Sequence, residues 1–153
     1  MTTSQVAQGL TTEQVVALTT DQASNLKTTQ VAALSTNNVA ALQTEDLAAL
    51  KTTQVAALTT AQLQSGLTTD QLVAMGTAQV AAFTTNQIAL GLTTDQIAAF
   101  ETRDVAVLRT TQIAALTTQG VAALTTEQIG ALTTTQVPAL TTSGLAALTP
   151  AQV

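Results

Sequence analysis

The only adjacent carboxylates in this chain are Glu45 and Asp46. A pair of acids at that spacing offers either a hard-cation site or acid–base work. The surrounding residues supply neither the third ligand nor the second base that such chemistry needs. The Asp-Gln and Glu-Gln steps elsewhere, at Glu13, Asp21, Asp70, Asp95 and Glu127, do not have calcium-loop spacing. Glu45 and Asp46 therefore read as two solvated acids at the start of a helix. Ser4, Ser24, Ser35, Ser65 and Ser143 are scattered with no base beside them in sequence. The chain has no His and no Cys, so a nucleophile dyad or a thiolate or imidazole metal site has no residues to use. Catalytic, cofactor-binding and metal-ligating residues are all expected to be none, and no cofactor is expected.

Partners are constrained by charge. The net charge is −5, with only four basic residues, Lys27, Lys51, Arg103 and Arg109. They form no patch, and neutralising phosphates needs clustered cations, so no nucleic acid is expected. Hydrophobic residues make up 46% of the 153, and the mean hydropathy is +0.33. No run approaches the length of a membrane-spanning helix, because polar residues recur too often. Membrane insertion is not expected. The high and regularly placed hydrophobicity also argues against disorder. The opening MTTSQVAQGL lacks a basic stretch followed by an apolar one, so no signal peptide is read there. Its first repeat is already in phase, as a segment of a longer array would be.

The elements that position these residues follow from an eight-residue unit, TTxQVAAL. Residues 2–148 divide into 18 such units, and TPAQV at 149–153 begins another. The whole of 1–153 is read as one repeat domain. Three units hold nine residues, at 2–10, 59–67 and 84–92, each with Gly before the final Leu. Position two is Thr in all 18, and the last position is Leu in 15, with Met75, Phe83 and Phe100 in the others. Position five is Val, Ile or Leu except for Ala23. Position four is mostly Gln, replaced by Asn38, Asp46, Asp104, Gly120 and Gly144. Phe83 and Phe100 stand at a core place and read as core filling.

Three backbones compete for this unit. In one continuous α-helix, eight residues at about 100° each leave a drift of roughly 80° per repeat, so the Leu positions never form a seam. A β-solenoid keeps each position on one face but sends positions five and eight to opposite faces, and Ala and Gln are poor strand formers. A short helix in every repeat, broken at the Thr pair, agrees best. T-x-x-Q is a capping-box pattern, and Pro150 falls at a first helical position. Positions five and eight share a helical face.

Charge placement favours the same choice. Glu13, Asp21, Glu45, Asp46, Asp70, Asp95, Asp104 and Glu127 lie at positions three or four, the first turn of each helix, where the macrodipole favours acids. Lys27, Lys51 and Arg109 lie at position one, just past the preceding helix. Where position one is a poor cap, at Lys27, Gln43, Lys51, Gly76, Glu101 and Arg109, the invariant Thr at position two is expected to cap instead. Pro138 is awkward within a helix. The Gly of each nine-residue unit is expected to make a left-handed turn.

Helices of five to seven residues do not survive alone. They must bury positions five and eight against other repeats, at roughly 1.5–3 kcal/mol per side chain. The fold class is therefore all-α, a solenoid of very short helices with one per repeat, the alternative being a β-solenoid. Positions one, three and four are expected to face solvent or cap the turns.

The pattern ALTTxQVAAL resembles octapeptide repeat arrays of large bacterial secreted or surface proteins of the adhesin and haemagglutinin-like type. LTTEQVVAL at 10–18 and LTPAQV at 148–153 resemble the first helix of transcription-activator-like effector repeats, which shows how LT-x-x-Q-V opens a short helix. The first resemblance implies a non-enzymatic structural spacer, placed extracellularly or at the cell surface within a larger protein. Its partners would be neighbouring repeats or domains of the parent chain, with self-association open. The other function weighed is a binding solenoid for protein, glycan or ice, presenting an exposed Thr/Gln face.

Overall fold

The computed structural model describes all 153 residues. Each of the 18 full repeats forms one short helical element. Sixteen are α-helical, one is a π-helical turn at Gln87–Gly91, and one is a 3-10 turn at Val137–Ala139. There is no strand, which removes the β-solenoid. No helix is long and apolar enough to cross a membrane.

The α-helices are four to seven residues long, from Thr28–Val31 to Thr3–Gly9. Each begins at the invariant Thr of position two, so position one is the N-cap throughout, whatever its side chain. This corrects the expectation that Thr moves into the cap where position one is Lys, Gln, Gly, Glu or Arg. Except at Gln43, where neither half of the box forms, the reason is that the other half still works. The Gln30 Oε1 accepts from the Lys27 N–H at 2.8 Å, and Gln112 does the same for Arg109 at 2.7 Å. Where position one is Thr or Ser, its hydroxyl also accepts from the N–H of position four, as Thr59 does from Gln62 at 3.1 Å. The hydrogen bonds do not explain why position two is always Thr. Pro138 takes its expected toll, and its repeat winds as 3-10 rather than α.

The helix of each repeat packs on that of the third repeat along: Thr3–Gly9 on Thr28–Val31, Thr12–Val16 on Thr36–Ala41, and onward to Thr118–Ala122 on Thr142–Ala146. The chain thus winds into a superhelix of short helices. Its core is one cluster of 28 buried side chains, and every one stands at position five or at the last position of a repeat. Phe83 and Phe100 join this core, with ring centroids 6.5 Å apart and planes tilted by 57°.

The nine-residue units depart from expectation. No residue has positive φ, so their glycines make no left-handed turn. In two of the three, the extra residue is instead absorbed by an i+5 bond at the helix end, from the Leu67 N–H to Gln62 O at 2.8 Å and from the Leu92 N–H to Gln87 O at 3.1 Å. Glycine is needed there for close approach. A Cβ on Gly66 would stand 2.8 Å from the Thr36 carbonyl oxygen of the preceding turn, and one on Gly91 would stand 2.9 Å from Leu63 Cδ1. Gly9 has no turn before it, and a Cβ there meets nothing within 4 Å. Gly66→Ala is accordingly expected to lower stability by about 1–3 kcal/mol, while Gly9→Ala leaves it unchanged or slightly raised. Urea denaturation of the two variants checks this contrast.

The glutamine clamp, a candidate functional site

Position four was expected to face solvent or cap the turns. It caps, but it faces solvent only in the first turn, where Gln5, Gln14 and Gln22 are exposed. From Gln30 onward it is buried, with Gln54, Gln62, Gln71 and Gln96 all at 2–3% exposure. A buried primary amide needs partners for both ends. Its oxygen accepts from the N–H of position one in its own repeat. From Gln54 onward its nitrogen donates to two carbonyls four repeats earlier, whereas Gln30 reaches only the Met1 carbonyl.

Gln96 shows the arrangement. Oε1 accepts from the Thr93 N–H at 2.9 Å, and Nε2 donates to Leu63 O at 2.7 Å and Leu67 O at 2.6 Å. Gln54 bridges Lys51 to Ala23 and Leu26, Gln79 bridges Gly76 to Leu47 and Leu50, and Gln87 bridges Thr84 to Val55 and Leu58. The accepting carbonyls belong to the last position of a repeat and to position five or six. The last carbonyl has no backbone donor, as helix ends leave it, while that of position five in the octads already accepts from the last N–H of its own repeat, as Val55 O does from Leu58 at 3.1 Å. One side chain therefore caps the start of its own helix and the end of another. Helices pack three repeats apart and clamps reach four back, so one superhelical turn takes between three and four repeats.

Asn38 makes a shorter version, with Nδ2 donating to Leu10 O at 3.1 Å. Asp46 and Asp104 cannot, because a carboxylate has no hydrogen to give. Both are buried, at 3% and 0% exposure, and each keeps one carboxyl oxygen without a partner, Asp46 Oδ2 and Asp104 Oδ1. The other Asp104 oxygen accepts from the Glu101 N–H at 3.1 Å. By register, the carbonyls that a glutamine at 104 would clamp are those of Leu72 and Met75. In the repeat of Asp46, position one compensates, and Gln43 Nε2 donates to Val16 O at 2.7 Å.

Burial pushes the carboxyl of Asp104 above its usual range, against the opposing pull of the Glu101 N–H and the Arg103 guanidinium. Burial does the same to Asp46, with a further push from the Glu45 charge. Glu13 is lowered, by its own backbone N–H first and then by the Thr11 hydroxyl. A carboxyl raised on folding favours the folded chain while protonated. Its contribution is complete below the ordinary Asp range and is lost as pH climbs through the raised value. Glu13 has the opposite sense, stabilising at higher pH and losing that as pH falls. Asp104→Asn restores a donor at near-identical size. It is expected to add about 1–3 kcal/mol at pH 7, with the gain shrinking toward pH 3. Chemical denaturation of parent and variant across pH measures this.

The other sequence candidates do not converge. Glu45 lies on the surface, accepting from the Thr44 hydroxyl at 3.1 Å, while Asp46 points inward, which corrects the expectation of two solvated acids. No three acids gather as a metal cluster. Ser35 is an N-cap and Ser24 donates to Asp21 O at 3.1 Å; Ser4, Ser65 and Ser143 are on the exterior. Lys27, Lys51 and Arg109 stand at N-caps, and Arg103 pairs with Glu101. Arg109 also donates to Phe83 O at 3.3 Å, four repeats back. Two clefts indent the surface, of about 390 and 560 Å³. The first lies where Gly120 supplies no clamp, and Gln64, Leu90, Thr93, Thr117 and Gln119 line it.

The clamp was missed in the sequence, although a signal was present. Gln persists at position four in the repeats of Lys27, Lys51, Gly76 and Arg109, where position one offers no hydroxyl to complete the box. Half of the box is lost in those repeats, yet Gln is kept there.

No curated protein and no solved structure matches the chain at a significant level. The family model of the ALTTAQ repeat matches three times, at residues 39–77, 65–101 and 97–134, which together cover more than half of the sequence. Its namesake elements are the ones seen in space: Ala-Leu closing one helix onto the core, Thr-Thr turning into the next, and Gln clamping it to an earlier turn. The chain belongs to the ALTTAQ repeat family.

Proposed function

We propose that this chain is a non-enzymatic structural segment, a spacer that holds other domains of a larger bacterial surface or secreted protein apart. The observation that carries the reading is the clamp. The buried amides along the array are committed to joining turns, so their chemistry goes into continuity rather than into a pocket. A rod of this kind needs only nearest-turn contacts, and its stability grows with length. The test is a series of chains lengthened four repeats at a time. Unfolding free energy that climbs by near-equal steps supports a spacer. A stability independent of length, or a saturable ligand that shifts the unfolding midpoint, removes it. Placement at the cell surface is tested by fractionating the source bacterium with an antibody to the segment, and recovery from the cytosol alone would sink that part.

A second reading, a binding solenoid for protein, glycan or ice, draws on the cleft beside Gly120. The face it would use is Thr-rich rather than Thr/Gln, since the clamp glutamines are buried beyond the first turn. Thermal hysteresis and a glycan-binding screen decide it.

A further inference from the structure

Among the position-four side chains, Asp104 alone is held like a clamp and lacks the hydrogen to close like one. It is 0% exposed. Its Oδ2 accepts from the Glu101 N–H at 3.1 Å, as Gln96 Oε1 accepts from the Thr93 N–H at 2.9 Å. A planar carboxyl anchored this way turns its second oxygen to the side where a clamp amide carries its nitrogen. That oxygen, Oδ1, is buried without a partner. Asn38, a side chain of the same length at the same position, reaches the last carbonyl four repeats back, Leu10 O, at 3.1 Å. The equivalent carbonyl for Asp104 is that of Met75, which receives no side-chain donor. The joint lies within the array. Gln71 clamps the 68–75 repeat to Val39 and Leu42, and Gln136 clamps the 101–108 repeat through Val105 and Leu108.

Charged groups around the joint are few. Glu101 and Arg103 pair with each other. Thr77–Ala81, packed on the Asp104 helix, carries no charge, and Thr126–Gly130, packed on its other side, carries only Glu127. The 68–75 repeat carries only Asp70, exposed like Glu127, and the Gln136 repeat carries none. Arg109, in the following repeat, reaches to Phe83 O. Arg103 is thus the one cation beside Asp104, and Glu101 shares it.

We propose that Asp104 is an acid-operated clamp: a proton taken from solvent onto Oδ1 turns the carboxyl into a donor that closes on the Met75 carbonyl and joins the 101–108 repeat to the 68–75 repeat. The carboxylic acid then does what the carboxamide does elsewhere, accepting through one atom and donating through the other. Burial favours the protonated form, which is the direction in which Asp104 is shifted. The joint is open at high pH and closes as pH falls through the raised value. Asp46 is not a second such switch, because it takes no cap N–H and Gln43 already spans to Val16 O at 2.7 Å. The device goes beyond the spacer reading and does not rest on it, since a binding solenoid would contain the same joint.

Carbonyl-carbon nuclear magnetic resonance of the full chain across a pH titration tests this. The Asp104 carboxyl and the Met75 carbonyl should move with one midpoint, above the ordinary Asp range of about 3.9. The Leu42 carbonyl, already held by Gln71, should not follow them. Hydrogen-exchange protection, corrected for the intrinsic rate, should rise about tenfold in the two joined repeats as pH falls through that midpoint. Asp104→Asn should show the acid level of protection at every pH. Asp104→Ala, uncharged but without a donor, should not reach it at any pH. A Met75 carbonyl that stays still while Asp104 titrates, an Asp104 that titrates in the ordinary range, or an Asp104→Ala chain as protected as Asp104→Asn overturns the proposal.

Discussion

Gln96→Ala is expected to lower stability by on the order of 3–5 kcal/mol, a large effect for one polar side chain in so regular an array. Truncation strands three backbone groups at once: the Thr93 N–H, the Leu63 carbonyl and the Leu67 carbonyl. Each buried polar group left without a partner costs about 1–3 kcal/mol, and some relaxation toward water brings the sum down. The matching change at the first turn, Gln22→Ala, removes only an exposed cap acceptor and should cost about 0.5–1 kcal/mol. Urea denaturation of the two variants measures the contrast. Equal losses at the two places would mean that Gln acts through its own helix alone and that the reach to the earlier turn contributes nothing.

The second large effect is expected at Phe83. It is 0% exposed, the largest fully buried side chain, and it sits 6.5 Å from Phe100. Phe83→Ala leaves a cavity in a core that has no other layer to collapse into, and the expected loss is about 3–5 kcal/mol. Phe83→Leu restores the residue that most repeats carry and should cost only about 1 kcal/mol. Repeats touch only adjacent turns, so the loosening should be regional. Hydrogen exchange should accelerate in the repeats that touch residues 76–83 and stay slow in those near residues 35–42. Uniform acceleration along the chain would show one cooperative unit instead.

Much of the architecture was legible because it rests on local chemistry. The eight-residue period excludes a straight helix by angle alone, and Thr-x-x-Gln names its own cap. The identity of the core follows from positions five and eight, down to Phe83 and Phe100. What the sequence did not disclose was set by the next turn. Asp46 looks like a surface acid beside Glu45, and only the turn against it makes it buried. Gly66 looks like a left-handed stop, but its job is to let Thr36 and Val39 come close. The nitrogen of each clamp glutamine meets atoms 28 to 33 residues away, beyond any local pattern. The site was hidden for the same reason: half of every clamp is a cap, and the cap accounted for the residue before the other half was sought.

Because every clamp skips four repeats, the links sort into four separate lengthwise tendons. One runs through Gln30, Gln62, Gln96 and Gln128 without interruption. The second is severed at Asp104, the third at Gly144 and the fourth at Gly120, while at Asp46 the third is carried by Gln43 instead. All three cuts fall beyond residue 100. Tension applied along the axis would thus be carried by a full set of tendons through the middle of the rod and by a thinned set near its far end. Under load the rod would fray from the side that follows Phe100, giving way in instalments and leaving the earlier turns wound.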